Sequence, residues 1–187
     1  EIGKNLARTT NIPIIIIKST VIPETTLKII LPILEKESSK KVGKDFGLIT
    51  NPEFLRETNA VNDTINPHVV VIGGYNDKFT KKVENFYTKF HKNVPIVNTN
   101  HQTSEMVKYA NNSFLATKIS FINSIANICQ EIPNADVKTI AYAIGKDPRI
   151  GPLFLNSGPG FGGSCLPKDL SALIHFSQKI KNSSSFL

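Results

Sequence analysis

The stretch "GPGFGGSCLPKDL", residues 158–170, sets one of the chain's two cysteines between a run of glycines and Pro-Lys-Asp. A helix is predicted to start near Pro167, a residue suited to the first helical position, so Cys165 lies at or just before a helix N-terminus. Unpaired N–H groups and the positive end of the helix dipole favour a thiolate there, and Lys168 adds positive charge. Asp169 falls in the first turn, where a carboxylate is also favoured. The chemistry open to this set is nucleophilic attack by an activated thiol. The plainer alternative is a small buried thiol beside a helix cap. The "GGSCLPKD" setting favours the nucleophile. Cys129 has no such setting; it shares an apolar helical stripe with Ile122 and Ile125 and reads as core packing.

Gly158, Gly160 and Gly163 spell G-x-G-x-x-G, but that fingerprint binds dinucleotides only after a strand and at the opening of a helix. Here "PLFLNS" precedes it, Pro159 sits inside it, and the helix comes after the thiol. The match reads as coincidence, and the glycines as a backbone that can approach a ligand closely. Lys108 and Asn112 are four apart on a predicted helix, hence on one face. Neither fits an apolar stripe, which leaves a functional pair or a solvated face. "NPEFLRE" (51–57) follows a strand, at the sheet end where open α/β sheets bind ligands. Glu53 and Glu57 there suit acid/base work or ligand contact, against a merely polar loop. "KST" (18–20) leaves its strand at the same edge, so Thr20 can face the same cleft.

These groups need elements to hold them. "PIIIIKS" (13–19) is a β-branched run, read as a strand buried on both faces of a parallel sheet. "FGLIT" (46–50), "HVVVIGG" (68–74) and "VPIVN" (94–98) are three further strands. Residues 24–37 have helical spacing, with Pro32 expected to kink or end the helix early. Residues 77–91 are predicted helical, with Phe79, Val83, Phe86 and Phe90 on one face. Strands alternating with helices indicate α/β architecture with a mostly parallel sheet. The pattern changes near residue 100. Residues 103–132 hold no Gly or Pro and predict one helix of about 45 Å. A second helix covers 135–144, a Gly/Pro-rich loop 147–166, and a last helix runs from near Pro167 into a frayed tail, 181–187.

The 187 residues suffice for a sizeable core. Twenty-two Lys and Arg against 15 Asp and Glu give a net charge of +7. That surplus is a solvated surface or the mark of an anionic partner, a phosphorylated small molecule or nucleic acid. The cations are scattered, apart from Lys40-Lys41 and Lys81-Lys82, and there is no arginine-rich arm or zinc-finger spacing. Nucleic acid is therefore the weaker option, and no metal is expected. The two cysteines form no disulfide framework and read as reduced cytosolic thiols. No apolar run approaches the ~20 residues of a membrane span, and no secretory signal opens the chain. A cytoplasmic protein is expected, with no membrane partner.

Taken together, "KSTV" (18–21), "NPEFLRE" (51–57), "EMVKYANNSFLATKISFINSIANIC" (105–129), "DPRIG" (147–151) and "GFGGSCLPKD" (160–169) resemble the UDP-glucose/GDP-mannose dehydrogenase family. They stand in the family's order and span most of the chain. "NSFLATKISFIN" with "DPRIG" is more similar to the UDP-glucose branch; the N-acetylated UDP-sugar branch has His-Cys where "GGSC" stands here. The resemblance implies NAD-dependent oxidation of a nucleotide-sugar C6 alcohol to a carboxylate, two NAD⁺ per turnover. Cys165 would attack the C6 aldehyde and carry a thiohemiacetal and then a thioester. Lys108 with Asn112 would stabilise the oxyanion. Asp169 and Glu53 would handle protons and the attacking water, with Thr20 assisting.

The same resemblance implies that Glu53, Phe54, Leu55, Arg56 and Glu57 line the sugar nucleotide, joined by Lys108 and Asn112. Phe154, Asn156, Ser157, Gly158, Gly160, Phe161 and Gly162 would line it from the glycine loop. Arg149 would reach the substrate of a partner subunit across a homodimer built on the long helix, unless it simply caps helix-end carbonyls. Ser19, Thr20, Val21, Glu57, Cys165 and Lys168 would border NAD. The implied architecture is α/β. Residues 1–100 would be the C-terminal part of a Rossmann-like NAD-binding domain, with a partial parallel sheet. Residues 101–187 would be an all-helical dimerisation domain carrying the cysteine.

The family's glycine fingerprint and its C-terminal nucleotide-sugar domain have no match here, so the chain is expected to be the middle of a longer enzyme. Alone, it is expected to be nearly inactive, and exposed apolar strand edges are expected to make it aggregate. Thr58 stands where the family commonly has Gly, which predicts a local loop difference; an extra residue near Pro133 should be absorbed between helices. Competing readings are a GDP-mannose 6-dehydrogenase, a non-catalytic helical dimerisation module with a retained thiol, and, last, a nucleic-acid-binding module.

Overall fold

The computed structural model describes residues 1–182, except the side chain of Glu57. The tail read as frayed lies outside the described residues from 183 onward. The chain falls into two compact units, Glu1–Lys108 and a second from Tyr109 onward.

In the first unit, α1 (Ile2–Arg8) precedes β1 (Ile14–Ile17), a π-helical turn (Thr26–Ile30) and α2 (Leu31–Ser38). Then come β2 (Gly47–Thr50), a 3₁₀ turn (Glu57–Asn59), α3 (Ala60–Ile65), β3 (Val70–Gly74), α4 (Asp77–Phe90), β4 (Ile96–Thr99) and the start of α5 (His101–Gln130). The sheet order is β1-β2-β3-β4. β1 pairs parallel with β2 and β3 with β4, while β2 and β3 meet antiparallel, Ile49 opposite Gly74 and Thr50 opposite Gly73. This is the mostly parallel α/β arrangement that the strand–helix alternation predicts.

Successive side chains of a strand point to opposite faces. Ile49, Val70 and Ile72 accordingly pack with Phe79 and Val83 of α4, while Leu48 packs with Leu6 of α1, Leu34 of α2 and Phe46. α4 begins where Asn76 Oδ1 accepts from the Phe79 amide at 3.3 Å.

Several expectations need correction. Among the described residues β1 pairs with β2 alone, α4 packs over β2 and β3, and Ile16 is left exposed, so the burial on both faces expected of β1 is not met within them. Pro32 does not end its helix. It sits in the first turn of α2, and the turn before it widens to π spacing, which accommodates a residue without an N–H. Phe86 and Phe90 are exposed; the buried stripe of α4 runs Phe79, Val83 and then the partly buried Tyr87. Residues 57–65, for which the sequence predicts no element, form a 3₁₀ turn followed by the short α3. β4 begins two residues later than the sequence suggests.

At the ends of β2 and β3 the first turn of α5 comes very close. A Cβ at Gly73 would lie 2.2 Å from Thr50 Oγ1, 2.5 Å from Ser104 Cβ and 2.8 Å from the Asn100 carbonyl, so only glycine fits. His101 is buried there, its Nδ1 3.2 Å from Thr50 Oγ1. Burial pushes its pKa down from 6.5 to about 4. Below pH ~6.5 the unfolded chain binds a proton that the folded chain does not, so stability falls as the pH drops. The loss is at most about 1.4 kcal/mol per pH unit until the folded group titrates. His101→Gln is expected to flatten this part of the melting-temperature profile between pH 6.5 and pH 4. A variant profile parallel to wild type would refute it.

The second unit holds the rest of α5, α6 (Val137–Gly145) and α7 (Leu166–Lys179). α6 is capped by Asp136, whose carboxylate accepts from the amides of Lys138 and Thr139. Ile122 and Cys129 of α5 are buried, as the apolar stripe predicts. Residues 146–165 contain no strand, so the glycine fingerprint lacks the context for dinucleotide binding. Among the described residues no helix is long and apolar enough to cross a membrane.

Candidate functional site

In the first unit a cleft forms where the chain leaves the carboxyl ends of parallel β1 and β2. Ile17, Ser19, Thr20, Val21, Thr50, Pro52, Glu105 and Lys108 line it. The structure thus brings Thr20 to the same cleft as the start of "NPEFLRE". Lys108, only 5% exposed, points an ammonium at Glu53, Nζ to Oε1 3.4 Å. The Phe54 ring lies under the same ammonium, 5.3 Å to its centroid, and meets His68 edge-on. Glu53 keeps its second oxygen on the Leu55 amide at 2.6 Å. A lysine this buried is not a solvated-face residue.

The rest of that loop is less committed. Leu55 is exposed. Arg56 forks onto Asp63, Nη2 to Oδ1 2.6 Å and Nε to Oδ2 3.0 Å, and this cation holds the Asp63 carboxyl well below the usual range. The side chain of Glu57 lies outside the described residues.

The second unit carries the thiol. Cys165 is exposed at the N-cap of α7, its Sγ 3.7 Å from Ser164 Oγ, and its carbonyl accepts from the Asp169 amide. Asp169 is almost wholly buried: Oδ2 accepts from Asn112 Nδ2 at 2.7 Å, and Oδ1 lies 2.7 Å from Lys168 Nζ. That hydrogen bond raises the Lys168 pKa. Asn112 is itself buried and accepts from Asn111 Nδ2. The carboxylate therefore joins α5 to the first turn of α7.

The loop before Cys165 is tethered by Gly158, whose amide donates to Asn123 Oδ1 at 2.8 Å. Gly160 needs its positive φ of 108°, but Gly158 and Gly162 have no such need. A Cβ at Gly158 or Gly162 would meet no described atom within 4 Å, so packing within the chain does not explain glycine there. Phe154 has a φ of 65°, Leu155 anchors the loop in the core, and Asn156 is exposed. Ser157 and Phe161 are half-buried. Arg149 is exposed and clasps Asp147, Nη2 to Oδ2 2.6 Å, rather than capping helix-end carbonyls.

Sequence reasoning assigned no role to Glu105, His101 or the Lys18–Asn51–Tyr87 cluster. Asn51 is buried, and its Oδ1 accepts from Lys18 Nζ at 2.9 Å and from the Tyr87 hydroxyl. For Glu105 a signal existed: it is three residues before Lys108, on the same helix face.

The two thiols should differ sharply in reactivity. An uncharged alkylating reagent near neutral pH is expected to modify Cys165 at least ~100-fold faster than buried Cys129 in the native protein, exposure and a helix N-terminus both favouring it. Equal rates by peptide mapping would refute this.

Residues 1–91 match the UDP-glucose/GDP-mannose dehydrogenase family, NAD binding domain, and residues 102–187 match the central domain of the same family. The chain belongs to the UDP-glucose/GDP-mannose dehydrogenase family. Its cofactor is NAD. The UDP-glucose 6-dehydrogenase of Haloferax volcanii is 42% identical over 177 residues, 93% of this chain and 41% of that protein. The enzyme of that name from Rickettsia bellii is 48% identical over 161 residues, 86% of this chain and 36% of that protein. Among solved structures, a UDP-glucose dehydrogenase from Pyrobaculum islandicum superposes with a TM-score of 0.91 at 33% identity, covering 98% of this chain and 41% of that one. A GDP-mannose dehydrogenase from Pseudomonas aeruginosa gives 0.74 at 33% identity, covering 97% and 41%. The chain thus spans about two fifths of the length of these relatives.

Proposed function

We propose that this protein is a cytoplasmic NAD-dependent nucleotide-sugar 6-dehydrogenase that oxidises UDP-glucose to UDP-glucuronate. The observation that carries the proposal is Lys108: a buried ammonium at the carboxyl end of a parallel sheet whose one ion pair among the described residues is a 3.4 Å contact to Glu53. Buried charges are ordinarily closely paired. A cation held so loosely in a cleft is suited to an oxygen that gains negative charge during reaction. The names of the relatives favour UDP-glucose over GDP-mannose, and the larger TM-score does too.

The lining of the cleft suits the redox end of NAD in its chemistry: the Ser19 and Thr20 hydroxyls stand beside the apolar Ile17, Val21 and Pro52, a mixed surface of the kind a flat, partly polar ring would meet. When bound, NAD supplies the hydride acceptor for both oxidations. The chain's own groups do the rest. The Glu53 carboxylate takes the proton that leaves the C6 hydroxyl, with the Thr20 hydroxyl assisting as a hydrogen-bond partner, giving the aldehyde. Cys165 Sγ then adds to the aldehyde carbon as a thiolate, and the carbonyl oxygen becomes an oxyanion that Lys108 and Asn112 stabilise. Oxidation of this thiohemiacetal leaves a thioester. Water, deprotonated with help from Asp169, cleaves the C–S bond, releasing the carboxylate and restoring the thiol. One sugar consumes one water and reduces two NAD⁺.

The sugar nucleotide would lie against Phe54 to Glu57 and along the loop from Phe154 to Gly162. Gly158 and Gly162 suit that role, since a Cβ there would project into ligand space rather than into the chain. Lys168 would border NAD. A homodimer through α5 is supported by exposed Phe114, Phe121 and Ile128, which recur every seven residues along one side of the helix. Arg149 would serve the partner subunit's substrate. The isolated 187 residues are expected to turn over little, because contacts remote from the reacting carbon help to set up its chemistry.

The test is NADH formation by the full-length protein with UDP-glucose against GDP-mannose. Two NADH per UDP-glucose supports the proposal. Turnover of GDP-mannose alone would correct the substrate, and turnover of neither would sink the enzyme reading.

A further inference from the structure

We propose that Glu105 is a positioning residue: its carboxylate clamps the loop bearing Ser19, Thr20 and Val21 onto α5, and so sets the cofactor side of the cleft. The inference rests on the reading of that cleft as the NAD and nucleotide-sugar site. Glu105 is buried, 4% exposed, and makes no ion pair among the described residues. A buried carboxylate in that state must be satisfied by hydrogen bonds. Its Oε2 accepts from the Glu24 amide at 2.6 Å and its Oε1 from the Thr26 amide at 2.9 Å. These amides open the helical segment that continues into α2, and Thr25 at its start supplies no side-chain cap. The cap comes instead from α5, a different element, about 80 residues along the chain.

The clamp has something to restrain. Glu24 holds a φ of 77°, the left-handed region that favours glycine. The strained turn begins directly after Val21, at the end of the cleft wall. Glu105 and Lys108 are one helical turn apart on α5, and both line the cleft with Ser19, Thr20 and Val21. Loosening the cap would let that wall drift relative to Lys108. A cap that served the fold alone would have no such consequence for ligand affinity.

The experiment uses full-length protein carrying Glu105→Gln, in which one acceptor oxygen becomes an NH₂ facing an N–H. Amide exchange in peptides spanning residues 22–28 is expected to quicken at least about tenfold without global unfolding. NAD⁺ affinity by calorimetry, and KM for NAD⁺, should weaken about tenfold, while kcat at saturation changes less than about threefold. Glu24→Gly keeps the amide and relieves the left-handed strain, so the double variant Glu24→Gly/Glu105→Gln should regain several-fold of the lost affinity. If Glu105→Gln melts, Glu105→Asp, which keeps the charge at shorter reach, carries the same comparison.

Faster exchange with unchanged NAD⁺ affinity overturns the proposal, because the cap would then serve the fold alone. Unchanged exchange overturns it too. A wild-type protein that fails to bind NAD⁺ overturns the reading of the cleft, and the proposal with it.

Discussion

Full-length protein carrying Cys165→Ser is expected to lose NADH formation from UDP-glucose by a factor of about 10⁴, with its melting temperature unchanged. The two halves of this expectation have separate causes. Cys165 is exposed, with its sulfur 3.7 Å from Ser164 Oγ, so it contributes little packing. At this N-cap position the cysteine makes no side-chain cap hydrogen bond and serine is a preferred residue, so the exchange costs no stability. Chemically the loss is severe. Sulfur is an intrinsically strong nucleophile, whereas a serine hydroxyl with no dedicated base is a weak one near neutral pH. Cys129→Ser is the control. It places a hydroxyl on a buried apolar stripe, costs about 1–2 kcal/mol, and leaves turnover per folded molecule intact. Retained turnover in Cys165→Ser would remove the covalent step from the proposed function. A large fall in melting temperature would mean that the sulfur is structural after all.

Much of this was legible because the elements obey local rules. The uninterrupted run without Gly or Pro predicts α5 within two residues, and the β-branched runs give all four strands. What the sequence withheld was tertiary. The exposure of Ile16 on β1 depends on which neighbours pair with that strand. Phe86 and Phe90 fit a helical stripe as well as Phe79 does, and only the width of the sheet beneath α4 decides which are covered. At the site, Pro167 indicated a helix N-terminus beside Cys165, and the structure has one. The burial of Lys108 and Asn112 could not be read from spacing, since a polar pair four apart is compatible with water. Glu105 was hidden for a similar reason: the amides it caps lie about 80 residues away.

The second large effect concerns that buried lysine. Lys108→Met is expected to lower kcat by 10²–10³, about 3–4 kcal/mol of transition-state stabilisation, while KM for UDP-glucose moves less than about threefold. Methionine keeps the unbranched stem and its packing but removes the charge. If Lys108 mainly held ground-state substrate, KM would rise and kcat would stand. The stability outcome follows from the asymmetry of the pair. Breaking a fully buried ion pair costs about 3–5 kcal/mol, because the charge left behind has no water. Here the charge left behind is Glu53, whose side chain is 31% exposed and already bonded to the Leu55 amide. Water can take over that carboxylate, so the melting temperature of Lys108→Met should stay near wild type or rise. Lys108→Arg should recover little activity. The planar guanidinium is broader than the ammonium, and the Phe54 ring closes one side of the space around Nζ. Full activity in Lys108→Arg would show that charge alone suffices. An unfolded Lys108→Met would show that the ammonium serves the fold first.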